Sequence, residues 1–528
     1  MVLSIKILLI YTLIYMGDFL YSLYNSDYIS PKITKINLEL FLVVIAILLF
    51  SKIWVRIVML GGILFVMLMQ YFYFQYFGAF IQPIGFYQII LNTRETFDII
   101  ADEFSTMVIP VTIILGLLIS IIILKKLIKV KSFRNNKVGV IILLGVFSYS
   151  LYGTYNGLHS KSGKLWHGDA KRIMPLPGVH SSANYMRAFR YFLVGIVPKK
   201  ILADNVDIFP PLKKPQKKSF SEENNIIFVI GESLRAKQLG ILGYKEDTTP
   251  RLQKIDGLIA KNIYSAGTMT KVSVSSLLNR VKYPGATVQM MQQKNNLFNL
   301  AKQQNYQTYF YSWQNNSQLS ILQNFMGRKY IDNYASKEDI KRMIKKHDSF
   351  DDNLLKALKK IDLNKGKNFI VLHQRGSHST YSNQYPKGFG TFQNTYDNTV
   401  LYTDYFLDEI IAYLKKVSKK STYLIFTSDH GELLHEHGKN GHGWFFSEVY
   451  KVPFIFYGIN SNINNISTKN IQSHFDVSNF VVSLLGYRVN INYEKQIYIN
   501  GSDVDALAGY LKIKLDSKGS ELSIEEIR

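Results

Sequence analysis

Apolar residues crowd the first 155 positions of the chain and then thin out. Five runs approach the roughly 20 residues that a helix needs to cross a bilayer. They lie near residues 3–24, 37–51, 54–76, 106–124 and 138–155. The second is short, and the first carries Gly17–Asp18 in mid-span. That first run lacks the small-residue cleavage site that ends a signal peptide, so it reads as an anchor. The pattern predicts a transmembrane domain of five helices over residues 1–155.

From about residue 223 the pattern alternates strand and helix. "NIIFVI" (225–230) is continuously apolar, as a parallel strand buried on both faces is. "NFIVLH" (368–373), "TYLIFTSD" (422–429) and "VPFIFYG" (452–458) repeat the type. Helical spacing marks "DDNLLKALKKI" (351–361) and "NTVLYTDYFLDEIIAYLKKV" (398–417). This predicts a doubly wound α/β sheet over 223–528. Residues 156–222 read as a linker rich in Lys, Arg, Gly and Pro. Within it "SSANYMRAFRYFLVGIVPKK" (181–200) suits an amphipathic helix in the membrane plane. "PPLKKPQKK" (210–218) reads as an extended charged tether, either solvated or touching lipid.

Charge gives the helices an orientation. The formal net charge is +23, and much of the excess flanks apolar runs. An anionic membrane surface explains it better than nucleic acid, and no nucleic-acid partner is expected. "KKLIKVKSFRNNK" (125–137) and the Lys52 and Arg56 of "SKIWVR" are cytoplasmic by the positive-inside rule. Five spans then put the N-terminus inside and everything after about residue 155 outside, in a bacterial periplasm. The external loop carries "QIILNTRETFDIIADEF" (88–104), with helical spacing, where Asn92 and Glu95 would face a lipid headgroup or water. The chain has no cysteine, which excludes disulfides, thiolate metal sites and cysteine catalysis.

In a doubly wound sheet, ligands collect beyond the carboxyl ends of the strands. Polar residues stand at those ends in turn. "GESLRA" brings Glu232, "HQRGSHS" brings His373 and His378, and "SDHGE" brings Asp429 and His430. "SAGTMTKVSVSSLL" (265–278) looks like a glycine turn opening a helix, with Thr268, Thr270 and Ser273 near an end that favours anions. "HEHGKNGHGWF" (435–445) adds His435, His437 and His442 on a glycine-rich loop. Glu232, Asp429 and His430 together make a set suited to zinc or manganese. A metal would deprotonate a coordinated hydroxyl, which makes Thr270 a fourth ligand and a nucleophile toward phosphorus. His378 and His442 could hydrogen-bond the phosphate or move a proton. Taken singly, each has a plainer reading: a helix-terminal acid for Glu232, turn residues for Asp429 and His430, a cap for Thr270, loop histidines for the rest. The joint pattern on successive strand ends carries the metal reading.

The motifs "FVIGESLRAKQLGILGYKEDTTPRL" (228–252), "GTMTKVSVSSLL" (267–278), "HQRGSHSTYSNQYP" (373–386), "YDNTVLYTDYFLDEII" (396–411), "TSDHGE" (427–432) and "NGHG" (440–443) resemble one family. It is that of the lipid A and lipopolysaccharide-core phosphoethanolamine transferases. These are sulfatase-like members of the alkaline phosphatase superfamily, and the mobile colistin resistance enzymes belong with them. The resemblance runs through nearly the whole chain. It implies five spans in a bacterial inner membrane and a periplasmic sulfatase-like domain. Phosphatidylethanolamine would give its headgroup to Thr270, releasing diacylglycerol, and a lipid A or core-sugar group of lipopolysaccharide would accept it. The family's zinc ligands match Glu232, Thr270, Asp429 and His430, with one site expected and a second allowed. Its phosphate-pocket histidines match His378 and His442, and its donor-lipid contacts resemble Asn92 and Glu95. The enzyme is expected to be a monomer. Where many relatives flank the nucleophile with a disulfide, this chain has Ala266 and Ser276, so packing must fix the turn.

Three other classes fit the same layout. A phosphoglycerol transferase shares it with a different nucleophile segment. A membrane-tethered sulfatase or phosphodiesterase is disfavoured, because a sulfatase wants Cys or Ser where Thr270 stands. A non-catalytic lipid-binding scaffold predicts lost ligands, yet all four are present.

Overall fold

Each of the five apolar runs forms a helix. In the computed structural model these are α1 (Val2–Tyr24), α2 (Leu38–Leu49), α3 (Ile53–Phe77), α4 (Val108–Leu127) and α5 (Asn136–Leu158). Among the described residues, three stretches are long and apolar enough to cross a membrane: Ile5–Tyr24, Ile53–Gln75 and Asn136–Gly157. Leu38–Leu49 and Val108–Leu124 are apolar but shorter. At 12 residues, α2 is the shortest of the five, and at 1.5 Å per residue a helix of that size covers only about 18 Å. The structure describes residues 2–26, 28–31, 37–77, 80–81, 83, 86, 107–127, 134–158, 175–176, 178–201, 209, 212–218, 223–319, 322, 325–345, 350–461, 467–501, 504 and 509–527. The helix expected at 88–104, with Asn92 and Glu95, lies outside these, as do residues 128–133 of the basic loop at 125–137.

The chain divides into two compact units, Met1–Ile208 and Phe209–Arg528. In the first, packing accounts for the Gly17–Asp18 pair. A Cβ on Gly17 would come within 2.7 Å of the side-chain ends of Leu117 and Met67, so glycine lets these side chains of α4 and α3 pack directly onto α1. Asp18 is fully buried and accepts hydrogen bonds from the Tyr28 hydroxyl (3.0 Å), the Tyr71 hydroxyl (2.8 Å) and the Ser181 amide (2.9 Å). A buried carboxylate needs such donors to offset lost hydration. The Ser181 amide belongs to α6 (Ser181–Tyr191), the amphipathic stretch expected along the membrane plane. Arg190 on α6 pairs with Glu39 of α2 at 3.1 Å, so α6 is tied to the bundle by side chains as well as by its apolar face.

The second unit is built on a seven-stranded sheet. Its strands are β1 (Asn225–Gly231), β2 (Ile259–Tyr264), β3 (Tyr306–Ser312), β4 (Asn333–Ala335), β5 (Lys367–His373), β6 (Thr422–Ser428) and β7 (Lys451–Ile459). Their order across the sheet is β2-β7-β6-β1-β5-β3-β4. Alternate residues of β1 feed opposite cores. Ile226, Phe228 and Ile230 join one cluster with Val274, Leu277 and Phe480, while Ile227 and Val229 join another with Phe406, Leu407 and Ile410. That is why the strand reads as an unbroken apolar run. The helices on the two faces include α7 (Thr270–Leu278), α8 (Thr395–Val417) and α9 (His474–Leu484).

One strand differs from expectation. β7, which contains 452–458, runs antiparallel to both β6 and β2, whereas β6, β1, β5, β3 and β4 are mutually parallel. An apolar run reports burial on both faces, which is the same for either direction. Direction follows from the connection. Between Ser428 and Lys451 lie only a two-residue strand pair (Leu433–Leu434 with Asn440–Gly441), the 3-10 turn Glu436–Gly438 and the four-residue helix Ser447–Tyr450. None is long enough to cross the sheet, so the chain re-enters beside β6 from the end it left. The basic tether is also not free: Gln216–Lys217 pairs with Tyr487–Arg488, and the Lys218 ammonium donates to Ser483 O at 3.1 Å.

Candidate active site

Strand register sets the site. Ile230 of β1 lies opposite both Thr427 of β6 and His373 of β5, so the residues just beyond these ends meet. Glu232, Asp429 and His430 are all buried, and each offers one ligand atom within 4.8 Å of the others. Thr270 is the first residue of α7, and Met269 occupies the N-cap position. Its hydroxyl therefore does not cap the helix. It lies 3.2 and 3.3 Å from the two Glu232 oxygens and 3.1 Å from His430 Nε2. The structure thus brings together four residues that the sequence placed on three separate segments.

The donor set fits a cation. His430 Nδ1 lies 2.9 Å from Gly431 O, and a carbonyl requires that nitrogen to carry the proton. The bare Nε2 then faces Asp429 Oδ2 at 3.2 Å and Glu232 Oε1 at 3.8 Å. Asp429 Oδ2 is buried with no hydrogen-bond donor. Lone pairs converging in a dry pocket repel unless a positive charge sits among them. The other Asp429 oxygen is held outward, where Ser233 N and His430 N donate to Oδ1 at 2.9 and 2.7 Å, and the Ser233 hydroxyl steadies Glu232 by donating to Oε1 at 2.8 Å. Burial and the adjacent Glu232 charge push the Asp429 carboxyl well up. Burial would raise Glu232 too, but the imidazoles of His430, His378, His442 and His373 outweigh it and hold that carboxyl below its usual range.

The two pocket histidines stand close by. The His442 ring lies 4.4 Å from the His430 ring, centre to centre, and His442 Nδ1 is 3.7 Å from Glu432 Oε1. His378 is half-buried, with Nδ1 2.9 Å from Arg375 Nη2; burial lowers its pKa. His435 and His437 stay apart. His437 stacks on Phe446 at 4.2 Å, and its side chain is 47% exposed.

Several side chains of the site had no role in the sequence reading. Gln314 donates to Glu232 Oε2 at 3.2 Å and accepts from Arg375 Nη1 at 2.7 Å, linking the cage to the loop of His378. Asp351 holds that loop by accepting from the amides of Arg375 (2.7 Å) and Gly376 (2.9 Å); burial pushes its carboxyl up to about 6. Glu432 accepts from the Tyr381 hydroxyl at 2.9 Å. Gln314 follows β3 at the same sheet edge, so the strand-end rule would have found it had β3 been recognised. "YQTYFYS" mixes polar and apolar residues and hides its burial.

Gly431, between His430 and Glu432, tolerates no side chain. A Cβ there would sit 2.1 Å from Glu448 O and 2.7 Å from Arg235 Cβ. Gly431→Ala is expected to cost about 1–3 kcal/mol by forcing backbone apart. Thermal melting of the purified chain in detergent should show a clear drop; an unchanged midpoint would contradict the packing described.

Part of the chain is similar in sequence to known proteins. The sulfatase family profile matches residues 224–487, a segment that holds Thr270 and all three members of the cage. The Kdo(2)-lipid A phosphoethanolamine 7''-transferase of Escherichia coli (strain K12) is 30% identical over 256 residues, which is 44% of either chain. Phosphoethanolamine transferase EptA of Salmonella typhimurium is 31% identical over 241 residues, 42% of this chain and 43% of its own. The matched part spans less than half the length of these curated relatives. Among solved structures, the integral membrane lipooligosaccharide phosphoethanolamine transferase A (EptA) from Neisseria meningitidis covers 85% of this chain and 89% of its own, at 19% identity and a TM-score of 0.45.

Proposed function

The chain belongs to the sulfatase family, and from that premise we propose that it is a membrane-anchored phosphoethanolamine transferase. Phosphatidylethanolamine is the donor, and a hydroxyl or phosphate of lipopolysaccharide, on lipid A or a core sugar, is the acceptor. The observation that carries this reading is the Thr270 hydroxyl, 3.1 Å from His430 Nε2 and 3.2 Å from a Glu232 oxygen. The named activities of the relatives support the choice of headgroup. The proposal places residues 1–155 in the bacterial inner membrane as five spans, 156–222 as a linker, and 223–528 as a catalytic domain in the periplasm, working as a monomer.

Glu232, Asp429, His430 and Thr270 would hold one zinc ion. When bound, it supplies positive charge that lowers the pKa of a nearby hydroxyl and offsets charge on phosphoryl oxygens. In the first half-reaction the Thr270 oxygen bonds to phosphorus as the bond from phosphorus to the glycerol oxygen breaks. The threonine proton ends on diacylglycerol, and His378 or His442 carries it. In the second, an acceptor hydroxyl oxygen bonds to phosphorus as the bond from phosphorus to the Thr270 oxygen breaks, and the proton lost by the acceptor passes to Thr270. Gln314 keeps Glu232 aimed at the cage throughout.

The test offers the purified full chain fluorescent phosphatidylethanolamine or phosphatidylglycerol, each with lipopolysaccharide. Labelled diacylglycerol should appear from the ethanolamine lipid, and mass spectrometry should find phosphoethanolamine added to the acceptor. Turnover of the glycerol lipid alone would replace this reading with phosphoglycerol transfer.

A further inference from the structure

His474, the first residue of α9, has no exposed surface and takes no part in the scheme above. Its ring is defined at both nitrogens. Nε2 lies 2.9 Å from Ser428 O, a carbonyl that only an N–H can satisfy. Nδ1 lies 3.1 Å from Ala266 N, an amide that only a lone pair can accept. The two partners specify the neutral ring with its proton on Nε2. The Ser273 hydroxyl lies 3.1 Å from the same Nδ1 and gives its own proton to Asp429 O.

These partners come from separate parts of the site. Ala266 opens the turn that leads to Thr270. Ser273 stands in the first turn of α7, which Thr270 begins. Ser428 ends β6 and precedes Asp429. One imidazole, 208 residues from Ala266 in sequence, therefore ties the nucleophile turn to the strand end that delivers the cage. No cysteine exists to make that tie covalently.

We propose that His474 is a positioning residue: it fixes the nucleophile turn against the end of β6 and so sets the Thr270 hydroxyl relative to Asp429 and His430. The kinetic arm of the test rests on the transferase reading; the zinc arm does not. Misplacing a nucleophile by about 1 Å costs on the order of 100-fold in rate.

The full chain in detergent micelles, with fluorescent phosphatidylethanolamine and lipopolysaccharide, is compared with three variants. His474→Phe keeps the ring's bulk and loses both bonds. His474→Asn places an amide oxygen near Nδ1, where it can accept from Ala266 N. His474→Gln reaches Ser428 O but leaves the Ala266 amide unmet. His474→Phe should lower kcat about 10–100-fold while KM for the donor stays within about twofold. His474→Asn should recover most of the lost rate, and mass spectrometry should find the Thr270 adduct forming faster in it than in the Phe variant. A wild-type kcat in His474→Phe, a loss carried by KM, or an Asn variant no better than Phe would overturn the assignment. Should His474→Phe fail to fold, Asn against Gln decides: faster Asn supports it and equal rates reject it. If the wild-type chain takes nothing from phosphatidylethanolamine, the transferase reading fails, and zinc affinity decides, read by competition with a chromophoric chelator. About tenfold weaker zinc in His474→Phe supports the positioning role, because Ser428 O precedes Asp429, and unchanged affinity rejects it.

Discussion

Thr270→Ala should lower phosphoethanolamine transfer by at least about 1,000-fold, equivalent to roughly 4 kcal/mol of transition-state stabilisation. The reason is chemical rather than structural. Thr270 is the first residue of α7 and not its cap, so removing its hydroxyl leaves the helix intact. The oxygen that would bond to phosphorus is simply gone. Glu232, Asp429 and His430 remain, so the variant should still bind zinc and melt close to wild type. Thr270→Ser keeps an oxygen at the same place and should retain part of the activity. Mass spectrometry of the protein after incubation with donor alone supplies the direct check. A phosphoethanolamine adduct should sit on Thr270 in the wild type and be absent from the alanine variant. Undiminished transfer by Thr270→Ala would mean that the nucleophile lies elsewhere or that water attacks directly.

The second large effect concerns the cage. Asp429 is buried beside Glu232, and no donor satisfies its Oδ2. A cation resolves that conflict, so zinc should stabilise the wild type markedly, by about 4 kcal/mol at a free concentration 1,000 times its Kd. Asp429→Asn removes one of the two like charges and one anionic ligand. Transfer should fall at least about 1,000-fold, and zinc content, measured by elemental analysis, should collapse. The stability difference is the sharper diagnostic. A chelator should lower the melting temperature of the wild type but leave Asp429→Asn almost unmoved. The metal-free variant should melt no lower than the metal-free wild type, since it carries less buried repulsion. Equal chelator sensitivity in the two proteins would show that the metal is held elsewhere. Glu232→Gln should behave alike, with one difference: Gln314 donates to Glu232 Oε2, and a neutral partner weakens that bond.

Local pattern was enough for much of this architecture. The continuous run 225–230 is typical of a strand buried on both faces, and β1 places its residues alternately into two cores. The five apolar runs were visible as helices because each is apolar over three turns or more, and their one proline, Pro110, falls in the first turn of α4, where no intrahelical hydrogen bond is lost. Pattern failed where it carries no directional information. β7 runs antiparallel because its connection to β6 contains no crossover, a fact of chain path rather than of hydropathy. β3 is hidden in the sequence because Gln307, Thr308 and Ser312 interrupt its apolar run, although of its seven positions only Gln307 is exposed.

The same division holds for the site. Sequence alone determined which residues could be ligands, since acids, imidazoles and a threonine following strand ends and a glycine turn are chemically restricted. It also determined that no thiol takes part. Only the tertiary structure decided which of them meet. Register between β1 and β6 brings Glu232 to Asp429, and the seating of α7 brings Thr270 within 3.1 Å of His430. It alone drew in Gln314, Asp351 and His474, whose partners lie between 24 and 208 residues away in the chain. Such contacts leave no local trace, because a hydrogen bond depends on separation in space and short-range pattern records only neighbours along the backbone.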